Sequence, residues 1–104
     1  MKLENSIVGV IGAGAMGSGI AQVAAQAGHQ VILIDQNEAA LERSQTALAK
    51  VCSRLVQKGS WTSEQSEAVQ GRIQRTGDWT WLQPCTVVIE AIVENLEVKV
   101  EVFQ

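Results

Sequence analysis

A group of regularly spaced glycines is the part of this sequence best suited to bind an anion. Gly12, Gly14 and Gly17 fall in the stretch SIVGVIGAGAMGSGIAQVAAQAGHQVILID. Gly12 allows a sharp turn after an apolar run, Gly14 lets a diphosphate approach the backbone, and Gly17 lets the following helix lie close to a sheet. Amides at a helix N-terminus favour an anion, because they carry partial positive charge. The amides predicted to point at the phosphates are those of Ala13, Gly14, Ala15, Met16 and Gly17, directly after Gly12.

A carboxylate follows at the end of the next apolar run. Asp35, with Gln36 beside it, stands where an acid can accept hydrogen bonds from both hydroxyls of an adenosine ribose. Arg43 is the first cation after Asp35, so a 2′-phosphate would be repelled with nothing to offset the repulsion. The pattern therefore predicts a dinucleotide site and favours NAD over NADP. The alternative is a glycine turn with only a structural role.

The composition limits the class of protein. The chain has 104 residues, a net charge of −3 and 46% hydrophobic residues, which fit one small globular domain. Mixed charges give no basic surface for nucleic acid, and no apolar run reaches the roughly 20 residues that span a membrane. Cys52 and Cys85 lack metal-ligand spacing, so no metal site is expected. With no signal peptide, we expect reduced thiols in a cytoplasmic protein.

The elements that would position the site alternate between strands and helices. Continuous apolar runs with β-branched residues predict strands buried in a parallel sheet. Together they indicate an α/β fold, a partial Rossmann-type doubly wound parallel sheet of about four strands in the order 3-2-1-4, with a helical hairpin between strands 2 and 3. The predicted strands are 7–11, 31–34, 73–76 and 86–90, and the predicted helices are 15–27, 38–58, 62–71 and one from about Asn95.

The fourth predicted strand has an apolar edge that a further parallel strand would normally cover. An uncovered edge of this kind invites pairing with another chain. We therefore expect residues 1–104 to be the N-terminal part of a dinucleotide-binding domain, without its remaining strands and a C-terminal helical domain. We also expect a homodimer or a swapped assembly, formed through the exposed fourth-strand edge.

Three other residues have two interpretations each. His29 follows a helix-ending glycine, and a surface or helix-terminus role is favoured over a chemical one. Trp79 and Trp81 fall in a short turn before the fourth strand. Packing over a sheet edge is favoured for them over stacking on adenine.

Two blocks of the sequence resemble one family. The block VGVIGAGAMGSGIAQVAAQAGHQVILID resembles the opening of the bacterial and mitochondrial L-3-hydroxyacyl-CoA dehydrogenases. The block VVIEAIVENLEVKVEVF resembles their segment after the fourth strand and is more specific, since the first is shared in outline with 3-hydroxyisobutyrate and 6-phosphogluconate dehydrogenases. The resemblance implies reversible, NAD-dependent oxidation of an L-3-hydroxyacyl-CoA to a 3-ketoacyl-CoA. Such an enzyme would serve fatty-acid, butanoate or aromatic-acid (phenylacetate) breakdown.

The resemblance also implies roles for individual residues. Ala91 and Ile92 would lie along the cofactor, and Glu94 and Lys99 near the nicotinamide ribose, the alternative for the last two being a solvated helix start. Lys58 would touch the CoA moiety, the alternative being a solvated lysine. The family's catalytic histidine and glutamate lie beyond residue 104, so we expect this chain alone to lack the catalytic residues. Two alternatives stay open, a dehydrogenase of a free hydroxy acid from the same superfamily and a non-catalytic NAD-binding module.

Overall fold

The computed structural model describes residues 6–92 and 97–102, and in them five strands form one sheet. The order across the sheet is β3-β2-β1-β4-β5, with parallel pairing between the first four strands and antiparallel pairing between β4 and β5. The α/β class and the order 3-2-1-4 are therefore confirmed. The strands are β1 (Ile7–Ile11), β2 (Gln30–Ile34), β3 (Ile73–Thr76), β4 (Val87–Ile92) and β5 (Glu97–Val102).

Helices connect the parallel strands. Helix α1 (Ala15–Gln26) joins β1 to β2, and helices α2 (Glu38–Gln57) and α3 (Ser63–Gly71) lie between β2 and β3. The helical hairpin between strands 2 and 3 is thereby confirmed. A 3-10 turn, Trp79–Leu82, precedes β4.

The helices pack on one face of the sheet. Val10 and Leu33 are both 0% exposed and share a cluster with Ala21 of α1, Cys52 of α2 and Val69 of α3. Small side chains on α1 let the helix backbone approach the strands, which brings the helix start close to the carboxyl end of β1. The burial of apolar side chains on this face is the main favourable term holding the layers together.

The other face carries a smaller cluster. Ile34 and Val88 are buried there, with Cys85 beside them and Leu82 of the 3-10 turn packed against the cluster. Gly9 makes this close packing possible, because a Cβ at that position would lie 2.6 Å from Leu82 Cδ2 and 3.0 Å from Cys85 Sγ. Within the described residues, the segment from the 3-10 turn to Cys85 is what packs on this face of the sheet.

The segment after β4 corrects the sequence prediction. We predicted a helix from about Asn95, which itself lies outside the described residues, but residues 97–102 form β5. The helix was wrong because EVKVEV alternates apolar and charged residues, which is the period of a strand. Since β5 pairs with β4 along Val87–Ile92, the expected open edge of β4 is also wrong. A dimer formed through that edge loses its basis.

Candidate functional site

The glycine turn joins the carboxyl end of β1 to the start of α1. Gly12 has a φ of 104°, and a Cβ there would run into the carbonyl oxygen of Ala91. Gly17 is buried, and a Cβ there would overlap the carbonyl oxygen of Gly12. Both positions therefore require glycine, the first for the turn and the second for the close approach of the helix. These are the steric roles that the sequence predicts for them.

Asp35 is tied to the glycine turn by its carboxylate. The Ala13 amide donates to Asp35 Oδ2 (2.9 Å), and the Asn37 amide donates to Asp35 Oδ1 (2.8 Å). The sequence predicts that the Ala13 amide points at an anion, but it donates to this carboxylate, an anion supplied by the neighbouring strand. Each carboxylate oxygen has a further lone pair and can accept a second hydrogen bond. Asp35 is half-buried, so the residue is partly open to solvent.

The start of α1 has no side-chain cap. Gly14 occupies the N-cap position and has no side chain that could accept a hydrogen bond, and the first turn of α1 contains no acidic residue. The Ser18 amide donates to the Gly14 carbonyl (2.9 Å), which begins the helical ladder. The amides of Ala15, Met16 and Gly17 therefore precede the ladder and have no acceptor within the helix. A helix start with free amides stabilises an anion, and a phosphate group fits it well.

The carboxyl ends of β1 and β4 meet at this turn. Ala91 lies inside β4, which extends past the predicted strand end at residue 90; it is 2% exposed, and its carbonyl faces Gly12. Ile92 ends β4. The chain leaves β1 toward β2 on one side, while β4 lies on the other, so this is the switch point where an α/β sheet forms its ligand crevice. Glu94 lies outside the described residues.

The remaining site candidates are spread over the sheet. Lys99 lies in β5, where its backbone is opposite Glu90. Gln36 follows Asp35 and is exposed. Lys58 is exposed at the far end of α2, a helix of 20 residues and therefore about 30 Å long. His29 precedes β2, so it lies at the opposite end of the strands from the glycine turn.

The tryptophans are only partly covered. Trp79 is 47% exposed and Trp81 is 41% exposed. Trp79 borders a cavity of about 420 Å³ that is also lined by Ile11 and Glu90, near the carboxyl ends of β1 and β4. Edge packing and adenine stacking both stay predictions for these side chains.

Sequence reasoning missed a pair of serine hydroxyls behind the glycine turn. Ser18 Oγ lies 3.1 Å from the carbonyl oxygen of Ala13 and 2.8 Å from Ser44 Oγ. Ser44 is 5% exposed and shares the buried face of α2 with Leu48 and Cys52. A polar residue at helical spacing within an otherwise apolar stripe is the signal that could have found it.

The cysteines and the metal-ligating residues show no further site. Cys52 and Cys85 are free thiols, buried in the clusters on opposite faces of the sheet. Burial raises the pKa of both thiols, and a hydrogen bond with Ser66 partly offsets this for Cys52. In residues 6–92 and 97–102, no cluster of His, Cys, Asp and Glu side chains could hold a metal ion. No helix in that part of the chain is long and apolar enough to span a bilayer.

Comparisons with known proteins point to one family. A family model described as 3-hydroxyacyl-CoA dehydrogenase, NAD binding domain, matches residues 7–104. A probable 3-hydroxybutyryl-CoA dehydrogenase of Deinococcus radiodurans is 46% identical over 96 residues, which cover 92% of this chain and 34% of that protein. A 3-hydroxyadipyl-CoA dehydrogenase of Escherichia coli is 40% identical over 103 residues, covering 99% of this chain and 22% of that protein.

A solved structure shows the same similarity. The (S)-3-hydroxybutyryl-CoA dehydrogenase of Ralstonia eutropha superimposes with a TM-score of 0.82 at 34% identity, covering 88% of this chain and 32% of that chain. The chain therefore spans about a third or less of the length of these relatives.

Proposed function

Because the chain belongs to the 3-hydroxyacyl-CoA dehydrogenase family, whose NAD binding domain matches residues 7–104, we propose that it is the NAD-binding part of an oxidoreductase. The proposed reaction is the reversible oxidation of an L-3-hydroxyacyl-CoA to the 3-ketoacyl-CoA. Bound NAD would supply the hydride acceptor for this oxidation. The observation that carries the proposal is the uncapped start of α1 next to a carboxylate at the end of β2.

The amides at the start of α1 are proposed to hold the diphosphate. Ala15, Met16 and Gly17 provide amides that precede the helical ladder, and Gly14 at the N-cap has no side chain to accept from them or to cover the backbone. The requirement for glycine at positions 12 and 17 supports the proposal. A Cβ at either position would overlap a backbone oxygen and prevent the turn that exposes these amides. The residues present thus fit a dinucleotide.

The carboxylate is proposed to select the ribose. Asp35 uses one hydrogen bond on each oxygen for backbone amides and has further lone pairs for two ribose hydroxyls. A 2′-phosphate at that place would meet this negative charge directly, which supports NAD over NADP. Ala13 and Gln36 flank the carboxylate, and the other proposed cofactor residues are Ala91, Ile92, Glu94 and Lys99.

The chain's own contribution to the reaction is binding and orientation. The strand order, with β1 and β4 adjacent, supports a crevice at the carboxyl ends of these strands, and the diphosphate is proposed to lie along one wall of it. We propose that the base that removes the hydroxyl proton, a histidine oriented by a glutamate, belongs to the part of the enzyme beyond residue 104, together with a helical domain.

The substrate class and setting are further proposals. The relatives are named as dehydrogenases of 3-hydroxyacyl-CoA compounds, which supports an acyl-CoA substrate. Fatty-acid, butanoate or phenylacetate breakdown would supply that acyl-CoA, and Lys58 is proposed to contact its CoA moiety. We also propose a cytoplasmic homodimer, whose interface lies away from the β4 edge because β5 occupies it.

An assay of the full-length enzyme tests this function. We expect NADH to be oxidised with acetoacetyl-CoA and not with free acetoacetate. Turnover of the free acid alone would instead identify a hydroxy-acid dehydrogenase of the same superfamily. NAD binding without turnover of either compound would indicate a non-catalytic module.

A further inference from the structure

We propose that Ser44 on α2 and Ser18 on α1 are positioning residues for the cofactor diphosphate, acting through the peptide group between Ala13 and Gly14. The inference rests on the proposed NAD site. It adds to that site two side chains that lie outside the glycine spacing and the ribose carboxylate.

The direction of the hydrogen bonds follows from the groups involved. A carbonyl oxygen can only accept, so the single hydroxyl proton of Ser18 is donated to the Ala13 oxygen at 3.1 Å. Ser18 Oγ then accepts the proton of Ser44 Oγ at 2.8 Å. The chain of donation therefore runs from α2 to α1 and on to the glycine turn.

Because the peptide group is planar, the hydrogen bond from Ser18 to the Ala13 oxygen also fixes the direction of the Gly14 amide. In a trans peptide the carbonyl of one residue and the amide of the next point in opposite directions. Holding the Ala13 oxygen toward the serines therefore directs the Gly14 amide to the other side. The adjoining peptide is fixed in the same way from its amide, because the Ala13 nitrogen donates to Asp35.

Two neighbouring peptide groups of the turn are thus held from different elements. The carboxylate follows the end of β2, whereas the two hydroxyls belong to Ser18 in α1 and to Ser44 in the first half of α2. Ser44 is only 5% exposed, so its hydroxyl has little access to water and depends on Ser18 as a partner. Preorganised donors of this kind bind an anion without first paying the entropy of ordering a flexible loop.

The two serines lie behind the start of α1 and border a groove of about 390 Å³ with Ala13 and Gly14. They do not need to touch the cofactor to act on it. The serines should therefore affect the affinity only of ligands that carry a diphosphate. Adenosine, which has the ribose but no diphosphate, provides the comparison.

The test is a double-mutant cycle measured by calorimetry on the full-length protein. Ser18→Ala is expected to raise the Kd of NAD about three- to tenfold, as the loss of one neutral hydrogen bond allows, and Ser44→Ala about two- to fivefold. The double variant should match Ser18→Ala alone, because both substitutions interrupt the same relay. The Kd of adenosine should not change in any of them.

A matched control separates positioning from stability. Ser66 is buried at 8% exposure in α3, its hydroxyl accepts from Gln70 Nε2 at 3.0 Å, and it does not line the groove that Ser18 and Ser44 border. Ser66→Ala should lower the denaturation midpoint and leave both Kd values unchanged. An unchanged NAD affinity in Ser44→Ala, or equal losses for NAD and adenosine, would overturn the positioning role alone. If the unsubstituted protein did not bind NAD, the proposed function would fail and this inference with it.

Discussion

The helix starts of this molecule differ in how their free amides are satisfied. In α2 the side chain of Asn37 accepts from the amides of Ala39 (2.9 Å) and Ala40 (3.2 Å). In α3 Thr62 and Gln65 form a reciprocal capping box at 3.1 and 2.8 Å. These two helices provide their own acceptors.

The start of α1 lacks both devices. Its N-cap is Gly14, and its first turn carries no acidic side chain. Even the 3-10 turn is capped, since the hydroxyl and the amide of Thr80 both donate to Asp78, which lowers the pKa of that carboxyl below its usual range. A glycine in place of Asn or Thr at the N-cap costs a helix only a few tenths of a kcal/mol, so leaving α1 without a side-chain cap is a small loss of stability. The comparison indicates that the first amides of α1 are left without a side-chain acceptor of their own because a bound anion would accept from them. The first amides of α2 and α3 have side-chain caps, which stabilise those helices.

The largest effect is expected from closing the space under α1. In Gly17→Ala the new Cβ overlaps the Gly12 carbonyl oxygen, so α1 and the turn must separate. We expect a loss of stability of about 1–3 kcal/mol or more in urea denaturation, together with loss of measurable NAD binding.

Gly19→Ala is the matched control in the same helix. A Cβ at Gly19 meets nothing within 4 Å, so the substitution should stabilise α1 by about 0.5–1 kcal/mol. Equal destabilisation by both substitutions would show that the close contact between Gly17 and the Gly12 carbonyl does not determine the loss of stability.

The second effect comes from giving α1 the cap that it lacks. Gly14 has φ −70° and ψ −170°, a conformation open to any residue. In Gly14→Asp the carboxylate can accept from the amides of α1 and repel a diphosphate. We expect the helix to gain up to about 1 kcal/mol while NAD affinity falls on the order of 100-fold. Titration calorimetry and urea denaturation of the same variant measure the two changes, and an unaltered affinity would contradict the account.

A smaller loss is expected at the ribose side. Asp35→Ala removes the proposed hydroxyl acceptors and the bond to the Ala13 amide, so NAD binding should weaken by about 1–3 kcal/mol. The control is Asp78→Ala, which removes an exposed carboxylate that caps the 3-10 turn and should leave the Kd unchanged. If NAD bound equally well to Asp35→Ala, the ribose would be held elsewhere.

The smallest effect on binding is expected at the capped helices. Asn37→Ala should reduce the free energy of unfolding by about 1 kcal/mol, because two amides of α2 lose their acceptor. Thr62→Ala should do the same in α3. NAD affinity should stay constant in both, since neither side chain is part of the proposed site. A fall in affinity in the Thr62 variant would mean that capping and binding are not separate in this molecule.

The sequence predicts those features that depend on local sterics. The left-handed turn at Gly12 and the contact at Gly17 follow from the motif, because only glycine tolerates either position. The parallel order 3-2-1-4 follows from apolar runs separated by helices. These parts of the fold and of the site can therefore be predicted from the sequence alone.

Features that depend on contacts between segments distant in the sequence cannot be predicted in this way. The residues 97–102 alternate like a strand, yet their structure depends on whether β4 offers a free edge. The link between Ser18 and Ser44 depends on how closely α1 and α2 pack, and the Ala13 amide turns to Asp35 because of the register between β1 and β2. No local pattern encodes these distances.

The most direct measurement follows backbone amide NMR signals while NAD is added. We predict that the amides of Ala15, Met16 and Gly17 shift with NAD and much less with adenosine, while the capped amide of Gln65 in α3 stays in place. Shifts that leave the start of α1 untouched while NAD binds would contradict the claim that this uncapped helix start holds the diphosphate.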